Sequence, residues 1–287
     1  MRHFKVALIQ MNSGREVGPN IDMASRLVRD ARGAGAELIL TPENTTMIEP
    51  KRASILEKAR GEAEHPAIPA FRLLAAETGA WLLIGSITVK LDEQSCANRS
   101  ILFSPAGEIV ARYDKIHMFD VDLENGESYR ESASFRPGTR AVVADMPFGR
   151  MGLSICYDLR FAYLYRVLAQ SGASFLTVPA AFTVPTGRAH WHVLLRARAI
   201  ETGCYVFAPA QCGEHAEGRR TYGHSLVVSP WGEILAEGGE EPGVIFAEID
   251  PAKVEEARRM VPALQHDREF VKPGQVPAKP RLTAAGS

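Results

Sequence analysis

Apolar residues gather in short runs of four to eight that alternate with longer amphipathic stretches, and this rhythm sets the expected elements. Lys5 to Gln10 reads as a first strand, Asn20 to Arg32 as an amphipathic helix, and Glu37 to Leu40 as a second strand running into Thr41-Pro42-Glu43. That order is a βαβ unit. Ile68 to Thr78 reads as a helix before the strand Trp81 to Val89, and two further strands flank Ser104-Pro105-Ala106-Gly107, whose Pro and Gly mark an antiparallel turn. A polar stretch from Phe119 to Thr139 follows. Beyond it, strands at Ala141–Asp145 and Met151–Ile155 lead through an elbow to a helix at Phe161–Gln170, then a strand at Ser174–Val178 and a helix at Arg188–Thr202. Strands at Tyr205–Ala210, Ser225–Ser229, Ile234–Ala236 and Val244–Glu248 come next, with Pro230-Trp231-Gly232 as a tight turn and a last helix over Pro251–Met260. The class is α/β. Gly35-Ala36-Glu37-Leu38-Ile39-Leu40-Thr41-Pro42 and Gly172-Ala173-Ser174-Phe175-Leu176-Thr177-Val178-Pro179 follow one plan, from a helix-ending Gly through a strand to Pro. Two similar halves facing each other are one reading of that echo, and common punctuation is the other.

Composition narrows the partner more than the fold. The 287 residues carry 33 basic and 34 acidic side chains, a net charge of −1, with no long run of either sign. No electrostatic footprint for nucleic acid or an anionic membrane results, so the expected partner is a small molecule. The apolar run at the start is too short and strand-like for a signal peptide, no later stretch reaches membrane-spanning length, and a cytoplasmic protein is expected. The four cysteines, at 96, 156, 204 and 212, form no CxxC pair and no disulfide framework. From Gln265 onward the chain turns rich in Pro and Lys. Residues 1–265 are therefore expected to form one domain, and 266–287 a tail, disordered or laid on a partner subunit.

Three residues of reactive type fall where apolar strands end. Cys156 lies in Ser154-Ile155-Cys156-Tyr157-Asp158-Leu159-Arg160-Phe161, at a strand-to-helix junction beside the first free N–H groups of a helix. A small buried core cysteine is the competing reading. Glu43 follows Pro42 at the end of the second strand, where loss of hydration raises a carboxylate's pKa toward that of a useful base; an exposed loop Glu is the alternative. Lys115, in Tyr113-Asp114-Lys115-Ile116-His117, can point an ammonium into a cleft or into solvent. Cys156 with His190 or His192 in a papain-like arrangement lacks an orienting partner and leaves Glu43 and Lys115 unexplained. A metal held by His190 and His192 lacks a third ligand. Arg160, four residues beyond the cysteine, suits a substrate carboxylate or a structural ion pair.

With their flanks, these segments resemble the nitrilase superfamily of carbon–nitrogen hydrolases. The likeness runs from the first strand through Pro42-Glu43-Asn44, the Lys115 segment, the Cys156 elbow and Gly187-Arg188-Ala189-His190-Trp191 to Tyr222-Gly223-His224-Ser225. It implies an αββα sandwich, paired as αββα–αββα in a homodimer, and a Glu43–Lys115–Cys156 triad. It also implies a second glutamate, for which Glu131 ahead of Pro137-Gly138 fits better than Glu127. By that likeness Cys156 forms a thioester with an amide substrate, Lys115 and the N–H of Tyr157 hold the oxyanion, and no metal or organic cofactor is needed. Arg160, Phe182 and Thr186 take the places that grip a substrate carboxylate. Within the superfamily the chain looks most like the deaminated-glutathione amidases, with ω-amidase, acting on α-ketoglutaramate, as the competitor. A catalytically silent binding protein of the same fold is the reading of another class.

Overall fold

The computed structural model describes residues 2–123 and 126–274. Its first half supplies β1 (Phe4–Gln10), α1 (Val17–Gly33), β2 (Leu38–Leu40), α2 (Arg52–Lys58), α3 (Ala67–Thr78), β3 (Trp81–Lys90), β4 (Cys96–Phe103) and β5 (Ile109–Asp114). A short hairpin, β6 (Asp120–Asp122) and β7 (Ser128–Arg130), leads into the second half. There β8 (Val142–Met146), β9 (Gly149–Leu153), α4 (Ala162–Gln170), β10 (Ala173–Thr177), α5 (Val184–Thr202) and β11 (Tyr205–Ala208) precede a second hairpin, β12 (Cys212–Glu214) and β13 (Arg220–Tyr222). The remaining elements are β14 (Leu226–Val228), β15 (Ile234–Glu237), β16 (Gly243–Ile249) and α6 (Ala252–Met260).

Two six-stranded sheets result, in the orders β16-β1-β2-β3-β4-β5 and β8-β9-β10-β11-β14-β15. In each, one antiparallel edge strand is followed by three parallel strands and then two antiparallel ones. The echo between residues 35–42 and 172–179 therefore marks the same place, the middle parallel strand, in two halves of one topology.

Side chains sort by the two-residue period of a strand. Val6, Leu8, Leu38, Leu40, Leu83 and Leu102 face the second sheet and pack with Met151, Leu153 and Phe175. Ala7, Ile9, Ile39, Leu82, Ile84, Ile101 and Phe103 turn the other way, onto Ala24, Val28 and Ala31 of α1 and Phe71, Leu74 and Ala75 of α3. On the far side α4 and α5 cover β9, β10 and β11. This is an αββα sandwich. Its inner strands are covered on both faces, which is why they read as continuous apolar runs.

The parallel strands of both sheets bring their carboxyl ends to one region, where open α/β sheets place their ligands. Gly85 lets β3 pass close to the end of β2, because a Cβ there would lie 2.1 Å from the Thr41 carbonyl oxygen. Of the expected tail, residues 275–287 lie outside the described residues, while Asp267 pairs with Arg166 of α4.

Candidate functional site

Glu43 leaves β2 through a tight turn in which the N–H of Asn44 donates to Ser86 Oγ and that of Thr45 to the Ser86 carbonyl. The carboxylate is buried. Its Oε1 accepts from Lys115 Nζ at 2.8 Å and from Asn98 Nδ2 at 3.0 Å, and its Oε2 from the N–H of Ala181 at 2.9 Å. Lys115 follows β5, its N–H donating to the Asn98 carbonyl. The ammonium, in a side chain 2% exposed, also reaches Glu131, at 3.0 Å to Oε1 and 2.9 Å to Oε2. Burial alone would lower the Lys115 pKa, but the carboxylates of Glu131 and Glu43 outweigh it and hold the group well above its ordinary value. It is a fixed cation.

Glu131 opens a single 3₁₀ turn, Glu131–Ala133, and its Oε2 accepts from the N–H of Phe119 at 2.7 Å. Close packing around Lys115 explains the Pro-Gly that follows. Gly138 donates to the Lys115 carbonyl at 2.7 Å, where a Cβ would stand 2.2 Å from the Asp114 oxygen.

Cys156 joins this cluster from the second sheet. Its φ of +48° is a left-handed conformation rare for a non-glycine residue, held by a hydrogen bond from its N–H to the Pro179 carbonyl at 3.0 Å. The wholly buried Asp158 ties the elbow to the lysine segment. Its carboxylate accepts from the N–H of Ile155, from the Tyr113 hydroxyl, and from the N–H and ring of His117. The element beginning at Cys156 is a 3₁₀ turn, Cys156–Arg160, and α4 starts at Ala162, in line with the expected elbow and a helix from about Phe161; the N–H groups beside Cys156 belong to that turn. Nor does the thiol rest as a thiolate. Burial, and then the Glu43 carboxylate, push its pKa well above the ordinary value, against the opposing pull of Lys115 and the N–H of Ala181.

All eight residues singled out in the sequence line one cavity of about 270 Å³: Glu43, Lys115, Glu131, Cys156, Tyr157, Arg160, Phe182 and Thr186. Arg160 lies over the rings of Tyr157 and Phe182, 5.7 and 5.6 Å from their centroids, and its polar contact is with the exposed His190 at 3.3 Å. No ion pair ties it down among the described residues. Thr186 Oγ1 lies 2.8 Å from Thr183 Oγ1 at the start of α5, and Phe182 packs on the buried Trp191.

Several polar residues at the site escaped the sequence reading, Asn98 and Arg219 among them. Asn98 donates from one nitrogen to both Glu43 and Glu131; its signal was a polar amide inside a strand otherwise covered on both faces. Arg219 gave none, because it sits in a polar hairpin among other charged residues. The histidines go elsewhere. His192 and His224 both bond Glu237 Oε1, at 2.8 and 3.0 Å, a grouping whose ligand atoms lie within 4.8 Å of one another and outside the cavity lining. No helix among the described residues is long and apolar enough to cross a membrane.

Known proteins resemble this chain in sequence and fold. The profile of the carbon-nitrogen hydrolase family matches residues 5–259. A protein of Synechocystis sp. named deaminated glutathione amidase is 42% identical over 276 residues, spanning 94% of this chain and 100% of its own. The NitFhit protein of C. elegans superposes with a TM-score of 0.86 at 36% identity, over 93% of this chain and 65% of that one. A variant of the amidase from Nesterenkonia sp., with the acetamide moiety of fluoroacetamide covalently added at its active-site cysteine, gives a TM-score of 0.78 at 27% identity, over 92% and 94% of the two chains.

Proposed function

Since this chain belongs to the carbon-nitrogen hydrolase family, whose profile spans residues 5–259, we propose that it is a deaminated-glutathione amidase working through a thioester on Cys156. The substrate is glutathione with its amino group replaced by a keto group, and the bond cut is the γ-amide. The observation that carries the reading is the buried meeting of one thiol, one fixed ammonium and two carboxylates in a cavity that also holds an arginine without an acidic partner.

The chemistry follows from those groups. As Cys156 Sγ bonds to the amide carbon, its proton passes to Glu43, so no thiolate need persist beside that carboxylate. The oxyanion is held by the Lys115 ammonium and the N–H of Tyr157. Collapse breaks the C–N bond, Glu43 returns the proton to the departing nitrogen, and the amine of cysteinylglycine leaves. Water then attacks the thioester while Glu43 takes its proton, which goes back to the thiol as the keto diacid is released. Glu131 fixes Lys115 throughout, and Arg160, Phe182 and Thr186 grip the acyl-side carboxylate. No step calls on a metal or organic cofactor.

The same reading gives one catalytic domain over residues 1–265 in a homodimer, with 266–287 as its tail, in the reducing cytoplasm that keeps the nucleophile a free thiol. Supporting the dimer, Tyr163 and Val167 on α4 and Val193 and Ile200 on α5 are exposed at helical spacing on neighbouring helices.

Quenching the reaction of purified protein with the keto analogue of glutathione and mapping the peptide masses tests the assignment. The acyl group is expected on Cys156, and Cys156→Ala is expected to lower turnover by about 10³-fold or more. Unchanged hydrolysis by that variant would take the nucleophile's role from Cys156, absence of hydrolysis by the unmodified protein would leave the binding-protein reading, and turnover confined to α-ketoglutaramate would make the protein an ω-amidase.

A further inference from the structure

Arg219 lines the same cavity as Cys156, yet the chemistry above gives it nothing to do. Its guanidinium lies 5.7 Å from the centroid of the Tyr129 ring. Its polar contact is a long one, 3.5 Å from Nη2 to the Ala181 carbonyl, and its Nε is wholly buried with no hydrogen-bond partner. Among the described residues no carboxylate pairs with it. Arg99, by contrast, holds Asp114 and Glu62.

The backbone that presents Arg219 is well fixed. It leaves the turn between β12 and β13, where the N–H of His215 donates to the Arg219 carbonyl at 2.7 Å. Glu217, at the tip with a φ of +57°, is held by Arg15 at 2.6 Å and Lys51 at 2.7 Å. A guanidinium carries five N–H donors in a rigid fork, and leaving a buried one unmatched is unfavourable. An arriving carboxylate supplies both the missing acceptors and the missing charge.

Its position says which carboxylate. Arg160 lies over Tyr157, Tyr157 packs edge-on to Phe119 at 5.2 Å, Phe119 meets Tyr129 at 5.1 Å, and Tyr129 lies under Arg219. Two cations thus stand at the ends of an aromatic arc along one wall of the cavity. We propose that Arg219 binds a second carboxylate, carried by the leaving-group half of the substrate, so that the pocket selects amides with one carboxylate on each side of the scissile bond. This rests on the amidase reading, with Arg160 as the acyl-side anchor.

Two substrates with the same keto-acyl group and the same dipeptide leaving group, one ending in a free carboxylate and one capped as a carboxamide, provide the test. The unmodified protein is expected to favour the free carboxylate by about 10- to 100-fold in kcat/KM, mostly through KM. Arg219→Gln is expected to bring that preference to within about twofold, and Arg219→Lys to keep part of it. An unmodified protein that treats the twins alike, or an Arg219→Gln variant that keeps the full preference, overturns the proposal without touching the amidase reading, whereas turnover of α-ketoglutaramate but of neither twin overturns the proposal together with the deaminated-glutathione assignment. Should Cys156→Ala hydrolyse all three compounds as the unmodified protein does, the reading of a thioester on Cys156 itself has failed.

Discussion

One amide nitrogen, Asn98 Nδ2, contacts both glutamates of the site, at 3.0 Å to Glu43 and 3.2 Å to Glu131. Two carboxylates so close together repel, and Lys115 supplies the only ammonium set between them among the described residues. On the proposed chemistry Asn98 is a positioning residue, fixing the direction in which Glu43 would offer its oxygen to the thiol. Replacing it with leucine keeps the volume and removes the donor. The expected result is a kcat lower by about 10- to 100-fold with KM nearly unchanged, measured in steady state beside a thermal melt. Asn98→Asp, which points a third carboxylate at the other two, is expected to lose more. A lower melting temperature with kcat intact would assign Asn98 to structure alone. Cys156 shows the same economy of function at its own backbone, since its left-handed φ is the kind of strain that persists where surrounding hydrogen bonds over-determine it.

Elements show how far the chain can be read without coordinates. Strands covered on both faces announce themselves as apolar runs, and Glu43 and Cys156 were legible because each follows such a run, whereas Lys115 was legible only by its place at the end of the half-exposed edge strand β5. The hairpins β6–β7 and β12–β13 were not, because three-residue strands in polar segments carry no usable alternation. They bring Tyr129 and Arg219 to the cavity, so the rim was invisible where the floor was plain. Helix α2 has seven residues and one buried side chain, Ile55, too little for a period. Helix α5 begins at Val184, earlier than expected, because Pro185 stands in the first turn, where a missing N–H costs nothing, and Gly187 is packed under Tyr222. The exposed apolar side chains of α4 and α5 carry a prediction at this scale. If they form the homodimer contact, Val193→Glu is expected to move the sedimentation velocity profile from dimer toward monomer, while an unmodified protein that is monomeric at micromolar concentration refutes the interface.

Across the whole molecule, buried histidines make stability depend on pH, and one of them ties the two halves together. His215, beside the second hairpin, is bonded through Nδ1 to the Ser13 carbonyl at 2.9 Å and through Nε2 to Thr221 Oγ1 at 2.7 Å, so it joins the loop after β1 to β13. Burial, with Arg219 adding repulsion, brings its pKa down to about 4. His65 is likewise lowered to about 4 by burial and by Arg60, and its Nδ1 accepts the N–H of Ala67, a role the protonated ring cannot fill. Well above pH 6.5 both rings are neutral whether the chain is folded or not, and their stabilising contacts are fully present. Between pH 6.5 and 4 the unfolded chain binds protons that the folded one refuses, so stability falls with falling pH, by about 3 kcal/mol per histidine across the window. Urea unfolding at steps from pH 7 to 5, above the range where most carboxylates titrate, isolates this term. The free energy of unfolding is expected to drop along a slope approaching two protons, and His215→Asn, which keeps a donor and an acceptor but cannot titrate there, is expected to halve that slope. A flat profile for the unmodified protein would mean that both rings protonate in the folded state, and that the contact between Ser13 and the second hairpin survives a charged His215.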